Sequence, residues 1–127
     1  MKQTIDLTDA EWTLMEQLWQ SPGSSGRGLT EALAAQTGWS RSTTLTLLRR
    51  LLDKGAVRTE LLDGTHVYFP ILTRESAARR QTKALLRRVY HGSLSSLVSA
   101  MTQEEQLSQT EIDELYALLD RMEGKHD

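Results

Sequence analysis

The sequence predicts a mainly α-helical fold with a small β-hairpin: a winged helix-turn-helix domain at residues 1–72, followed by a C-terminal helical arm at residues 73–127. Three segments with the apolar spacing of helices precede two β-branched runs joined by a tight turn, which is the element order of a winged helix. Three further amphipathic segments follow, and the small first domain offers them little surface on which to pack.

Composition limits the chain to one compact domain, or to a small domain with an appended element. Its 127 residues are 39% hydrophobic and 25% charged, which are ordinary globular proportions. The lack of cysteine excludes disulfides, thiol nucleophiles and cysteine-bound zinc. No run approaches the roughly 18 apolar residues of a membrane span, and the first residues lack the apolar core of a signal peptide. We therefore expect a cytoplasmic protein without membrane insertion.

Charge is unevenly distributed along the chain, although the net charge is only −2. Residues 1–26 have a net charge of −3, residues 27–88 of +7 and residues 89–127 of −6. A basic middle region between acidic ends is typical of proteins in which one surface follows nucleic-acid phosphates. A solvated basic face without a ligand produces the same pattern, so charge alone leaves both interpretations open.

The first predicted helix begins at the capping box Thr8-Asp9-Ala10-Glu11 and ends at Ser21-Pro22-Gly23. Apolar residues recur in this helix at spacings of three and four: Trp12, Met15, Leu18 and Trp19. We interpret its two tryptophans as core residues. We interpret Asp9, Glu11 and the acids of residues 104–114 as caps and solvated faces.

The second predicted helix is short, and the third has two contrasting faces. Residues 24–28 are predicted to form a loop and residues 29–36 a helix that ends at Gly38. Ser40 caps the third helix, which runs to about Lys54 and ends at Gly55. Its apolar face comprises Thr44, Leu47, Leu48, Leu51 and Leu52. Its polar face comprises Ser42, Thr46, Arg49 and Asp53, flanked by Thr43 and Arg50.

A β-hairpin follows, with strands predicted at residues 57–61 and 66–71 around the turn Leu62-Asp63-Gly64-Thr65. Asp-Gly between alternating runs is a strong hairpin signal. In a winged helix the third helix enters a DNA major groove and the hairpin lies along the adjacent backbone.

The C-terminal arm is predicted to contain three amphipathic helices. Thr73 caps a basic helix through Tyr90, His91-Gly92 interrupts it, and a second capping box lies at Ser108-Gln109-Thr110-Glu111. We predict that the arm forms a homodimer through apolar residues at helical spacing: Leu94, Leu97, Val98, Met101, Ile112, Leu115, Leu119 and Met122. The alternative is a monomeric helical extension folded over the first domain.

A specific motif lies across the third helix: Trp39-Ser40-Arg41-Ser42-Thr43-Thr44-Leu45-Thr46-Leu47-Leu48-Arg49-Arg50-Leu51, followed by Lys54-Gly55. It resembles the pattern Trp-Ser-x-x-Thr-Val-x-Thr-Leu-Leu-x-Arg-Leu-x-x-Lys-Gly of the BlaI/MecI/CopY family of transcriptional repressors, also called penicillinase repressors. Residues 7–19, 68–70, 89–98 and 107–109 resemble other parts of that family, so the resemblance covers nearly the whole chain.

The resemblance implies a homodimer that binds a dyad-symmetric double-stranded DNA operator, with each third helix reading a TGTA-like half-site. Two residues depart from the pattern, because Thr44 replaces an aliphatic residue and Leu45 stands where a polar or basic residue is common. Leu45 cannot hydrogen-bond to a base edge, although it can touch a thymine methyl group. The half-site sequence can therefore differ from that of the family.

The resemblance leaves the release signal open. In β-lactam-responsive members a membrane sensor triggers cleavage of the arm at an Asn-Phe bond, which aligns with Ala100-Met101 here and is not preserved. A signalling protease that acts on the arm remains a candidate partner. Copper-responsive members bind metal through cysteines, which this chain lacks.

The candidate DNA-binding residues lie on the third helix and the hairpin: Arg41, Ser42, Thr43, Leu45, Thr46, Arg49, Arg50, Arg58, Thr65 and His66. Two of these have structural alternatives, since Thr43 can satisfy the helix start and Arg50 can pair with Glu31 or Asp53. Trp39, just before the cap, is interpreted as a staple onto the core.

No sequence signal for catalysis, a cofactor or a metal was found. His66, His91 and His126 do not share a metal-ligand spacing, and no phosphate loop or nucleophile elbow occurs. The sequence predicts a DNA-binding repressor rather than an enzyme. The alternative is a winged-helix module that binds protein without DNA specificity.

Overall fold

A computed structural model describes residues 5–104 and 107–124; His126 lies outside the described residues. The elements are α1 (Asp9–Gln20), β1 (Ser24–Ser25), α2 (Gly26–Thr37), α3 (Arg41–Lys54), β2 (Val57–Leu62), β3 (Thr65–Pro70), α4 (Arg74–Tyr90), α5 (Leu94–Glu104) and α6 (Gln109–Gly124). The structure is mostly helical with a small antiparallel sheet, which confirms the predicted fold class. The chain forms two compact units, Met1–Thr82 and Lys83–Asp127. The boundary between them falls inside α4, whereas the predicted domain boundary precedes that helix.

Short-range signals set the helix ends of the first unit. The Thr8 hydroxyl accepts from the Glu11 amide at 3.1 Å, and the Glu11 carboxylate accepts from the Thr8 amide at 2.8 Å, which confirms the capping box. Gly38 and Gly55 adopt left-handed conformations, with φ of 76° and 79°, and end α2 and α3 as predicted.

The predicted loop at residues 24–28 was wrong. Ser24 and Ser25 form strand β1, which pairs antiparallel with β3, and α2 begins at Gly26 with Ser25 as its N-cap. A two-residue strand has no periodicity of its own. It is defined by its partner strand, about forty residues later in the chain.

The core of the first unit lies between the three helices and the sheet. Its most buried large apolar residues are Leu14, Met15, Leu18, Leu29, Leu33 and Leu51. Trp12, Trp19 and Trp39 are half-buried and pack against this cluster, as interpreted from the sequence. Trp12 and Trp19 form an edge-to-face pair with ring centroids 5.2 Å apart.

Glu11 is a cap, but the prediction that it lies on a solvated face was wrong. Its side chain is only 1% exposed and accepts a 2.5 Å ion-pair hydrogen bond from Lys54 Nζ at the end of α3. Burial opposes ionisation of Glu11, but hydrogen bonds from Lys54 and Thr8 outweigh it and lower the pKa of the carboxyl group. This buried pair therefore joins α1 to α3.

The first part of α4 packs within the first unit. Thr73 caps the helix, with its hydroxyl 3.1 Å from the Ser76 amide, and Ala77 is buried. Arg74 pairs with Glu16 of α1 at 2.9 Å, and the Arg80 guanidinium donates to Asp6 at 2.6 Å. Side-chain contacts thus fix the start of α4 against α1 and the segment before it.

The second unit comprises the end of α4 with α5 and α6. His91 and Gly92 have positive φ of 52° and 85°, and the Gly92 amide donates to the Leu86 carbonyl, which ends α4 at the predicted interruption. The Ser108 hydroxyl accepts from the Glu111 amide at 3.1 Å at the start of α6. Over residues 5–104 and 107–124, no helix is both long and apolar enough to cross a membrane.

Candidate nucleic-acid interface

Helix α3 presents one buried face and one exposed face. The Thr43 amide donates to the Ser40 hydroxyl at 3.2 Å, which starts the helix at its predicted cap. Thr44, Leu47, Leu48 and Leu51 are buried against the core. The other side therefore faces solvent, and all seven candidate residues of this helix are exposed: Arg41, Ser42, Thr43, Leu45, Thr46, Arg49 and Arg50.

The hairpin places its candidate residues close to the tip. Asp63 and Gly64 have φ of 50° and 79°, the positive values that a type I′ turn requires. Thr65 and His66, the first residues of β3, are exposed and lie opposite Leu62 and Leu61.

Arg58, on β2, has partners within the chain that the sequence did not indicate. Its guanidinium group lies 2.6 Å from the Glu60 carboxylate and 4.5 Å from the centre of the Phe69 ring. Alternate residues of a strand share a face, which could have suggested Glu60, but Phe69 is brought across by the register of β2 and β3. Contact between Arg58 and a phosphate would compete with these two interactions.

The structural alternatives for Thr43 and Arg50 have different outcomes. The Thr43 hydroxyl lies 3.0 Å from the Ser40 hydroxyl, so Thr43 does take part in the helix start. In the part of the chain that the structure describes, Glu31 pairs with Arg27, and Arg50 forms no ion pair.

The electrostatics of the α3 face are cationic. Arg41, Arg49 and Arg50 form no ion pair among residues 5–104 and 107–124, and Asp53 is the one acid within the helix. A shallow groove of about 300 Å³ opens beside them, lined by Ala10, Trp39, Ser42, Thr43, Thr46, Leu47 and Arg50. This face thus combines hydroxyl donors with guanidinium groups on a helix narrow enough to enter a DNA major groove.

The second unit leaves many large apolar side chains exposed. Five of the predicted dimerisation residues are among them: Leu94, Met101, Leu115, Leu119 and Met122. The other three are half-buried: Leu97, Val98 and Ile112. The Ala100–Met101 bond lies inside helix α5. No group of three or more potential metal ligands occurs within the described ranges.

Known proteins are similar to this chain over nearly its whole length. The family model described as penicillinase repressor matches residues 7–121. The methicillin resistance regulatory protein MecI of Mammaliicoccus sciuri is 30% identical over 118 residues, covering 93% of this chain and 96% of MecI. The penicillinase repressor of Bacillus licheniformis is 30% identical over 125 residues, covering 98% of each chain.

A solved structure is similar to about three fifths of the chain. It is a solution structure of the monomeric form of Bacillus licheniformis BlaI in complex with the blaP half-operator. The match has a TM-score of 0.53 and 28% identity, and covers 60% of this chain and 93% of that one.

Proposed function

Because the chain belongs to the penicillinase repressor family, we propose that this transcriptional repressor acts as a homodimer on a dyad-symmetric DNA operator. Membership of the family confirms the resemblance found in the sequence, and the family is one of repressors, not enzymes. The observation that carries the proposal is the exposed face of α3, where three arginines without ion pairs among the described residues lie beside hydroxyl groups.

We assign base reading to the N-terminal half of the exposed α3 face. The BlaI protein of Bacillus licheniformis, which is similar to 60% of this chain, was solved with a half-operator. If α3 enters the major groove as a recognition helix does, the following residues would meet base edges: Arg41, Ser42, Thr43, Leu45 and Thr46. Arg49 and Arg50 would reach phosphates or purine edges, while Thr65 and His66 on the hairpin would meet the backbone.

Dimerisation is supported by the exposed apolar residues of the second unit. Leu115 and Leu119 recur at a spacing of four on α6, with Met122 three residues later, and all three are at least 36% exposed. Apolar side chains of this size and number are seldom left in water on one side of a helix. A second copy would cover them, and two copies would place two α3 helices on the two half-sites of an operator.

The proposal is tested by selecting duplex DNA from a random pool with the purified full chain. We expect a dyad whose half-sites are separated by about one helical turn or a multiple of it. Affinity for that site should fall by about a thousandfold or more between 50 and 200 mM salt if about six phosphates are contacted. Weak, sequence-independent binding would contradict the proposal and favour a protein-interaction module.

A matched pair of variants tests the role of α3. Arg49→Gln removes an exposed charge from the proposed interface and should cost about 1–3 kcal/mol of operator binding. Arg79→Gln removes the same charge from an exposed position on α4 and should leave the operator affinity nearly unchanged. Equal losses for the two variants would indicate an effect of net charge and contradict the assignment to α3.

A further inference from the structure

Leu45 is an apolar residue within the otherwise polar exposed face of α3. Its neighbours on that face are Ser42, Thr46 and Arg49, which all carry hydrogen-bonding groups. The Leu45 side chain is 36% exposed, so part of it faces solvent and part contacts the protein. It has no donor or acceptor, and therefore no means of reading the polar pattern of a base edge.

The buried part of Leu45 points towards the start of α2. A Cβ atom placed on Gly26 would lie 3.9 Å from Leu45 Cδ2 and 3.8 Å from Tyr68 Cε2. The tips of both side chains thus converge over Gly26, which has no side chain. The backbone pairing of Ser24 with Tyr68 joins the start of α2 to strand β3 and fixes the position of this support.

We propose that Leu45 selects a 5-methylpyrimidine at one position of each half-site by contact with the C5 methyl group. The C5 methyl of thymine is the apolar group that a base pair presents in the major groove, and it is the feature that an aliphatic side chain can recognise. Gly26 and Tyr68 act as positioning residues, because they lie beside the tip of the Leu45 side chain and limit where that side chain can lie on the exposed face of α3. This inference rests on the operator binding proposed above.

The test uses the full chain and the operator recovered by selection, with each thymine of a half-site replaced in turn by deoxyuridine. Uracil differs from thymine by the methyl group alone, so every hydrogen bond to the base is retained. At one thymine we expect binding to weaken about fourfold per half-site, or about fifteenfold when both half-sites are changed. Fluorescence anisotropy titrations at constant salt measure the thymine-to-uracil affinity ratio.

Leu45→Ala should bring this ratio at that position close to one. Ser42→Ala removes a hydroxyl from the same face without removing any methyl contact, and should keep the ratio even if the overall affinity falls. At the same position, 5-methylcytosine should bind more tightly than cytosine by a similar factor in the unmodified protein, and this preference too should disappear in Leu45→Ala.

Two variants at Gly26 separate positioning from folding. Gly26→Ala adds a Cβ at ordinary contact distance from Leu45 and Tyr68, so the ratio should be retained. Gly26→Leu adds a side chain that must displace the tip of Leu45, so the ratio should fall while unfolding followed by tryptophan fluorescence stays cooperative. Equal ratios in these two variants would refute the positioning role.

The outcomes distinguish this inference from the proposed function. If an operator is bound but no thymine shows a ratio that Leu45→Ala removes, methyl reading by Leu45 is wrong and the repressor proposal stands. If no operator is bound at all, both proposals are wrong.

Discussion

The two units of the chain differ in where their apolar side chains lie. In Met1–Thr82 the three helices and the sheet enclose a core, and Leu14, Leu29 and Leu51 are fully buried. Among the described residues of Lys83–Asp127 no side chain is buried, while Leu94, Leu119 and Met122 are more than half exposed. The helices of both units are amphipathic, so the difference lies in what covers the apolar face.

This contrast indicates two sources of stability. The first unit encloses an apolar core of its own, whereas the large apolar side chains of the second unit lie exposed and would gain stability from a covering surface. The two can be followed separately, because Trp12, Trp19 and Trp39, the three tryptophans of the chain, all lie in the first unit. Tryptophan fluorescence therefore reports unfolding of the first unit.

The largest expected effect is on the second unit. Leu119→Asp would place one carboxylate from each copy in the proposed dimer seam, which should weaken association by about 4 kcal/mol, roughly a thousandfold in Kd. Operator affinity should fall with it, while the tryptophan-detected unfolding midpoint stays constant. Sedimentation velocity over a concentration series measures the dimer.

The control for this change is Ala117→Asp on the same helix. Ala117 is exposed and lies about 160° around α6 from Leu119, so the same charge is added on the opposite face. It should leave the dimer intact. Loss of the dimer in both variants, or in neither, would contradict an interface formed by the Leu119 face.

The next effect is confined to the first unit. Lys54→Met would remove the cation that pairs with buried Glu11 and should cost about 2 kcal/mol at pH 7, less than a fully buried pair because Lys54 is 35% exposed. Urea unfolding followed by tryptophan fluorescence measures this loss. Lys83→Met, at an exposed position, is the control and should cost almost nothing.

The same pair predicts a pH dependence. Although burial disfavours its charged form, Glu11 has a pKa below its ordinary value of 4.5, because Lys54 and Thr8 hydrogen-bond to it. This contribution to stability is fully present above pH 4.5 and is lost as the pH falls through the folded pKa. In Lys54→Met burial should instead raise the pKa. The cost of the substitution should therefore shrink below pH 4.5, and a cost independent of pH would contradict this account.

The smallest effect is a gain. Thr44 is fully buried, and its hydroxyl has no hydrogen-bond partner in the described part of the chain. Thr44→Val keeps the shape and removes the unpaired polar group, so the first unit should become more stable by about 1 kcal/mol. Thr46→Val, at an exposed position on the same helix, should change stability by less than about 0.5 kcal/mol. Destabilisation by Thr44→Val would indicate a partner for that hydroxyl.

Features that depend only on neighbouring residues were predictable from the sequence. The capping box at Thr8, the left-handed stops at Gly38 and Gly55, and the Asp63-Gly64 turn each need only a few adjacent residues, and all of them were predicted. The two faces of α3 were also predictable, because helical periodicity assigns each side chain to a face. The exposed candidate residues on that helix followed directly.

Features that join residues distant in the sequence depend on how the helices and strands pack. Strand β1 exists because β3 lies beside it, and Glu11 meets Lys54 because α1 packs against the end of α3. Arg58 contacts Phe69 because the strand register places the two residues opposite each other. Gly26 and Leu45 likewise come together only when α2 packs against α3. Local pattern cannot encode such pairs, since their contact depends on how separate elements pack rather than on the period within any one of them.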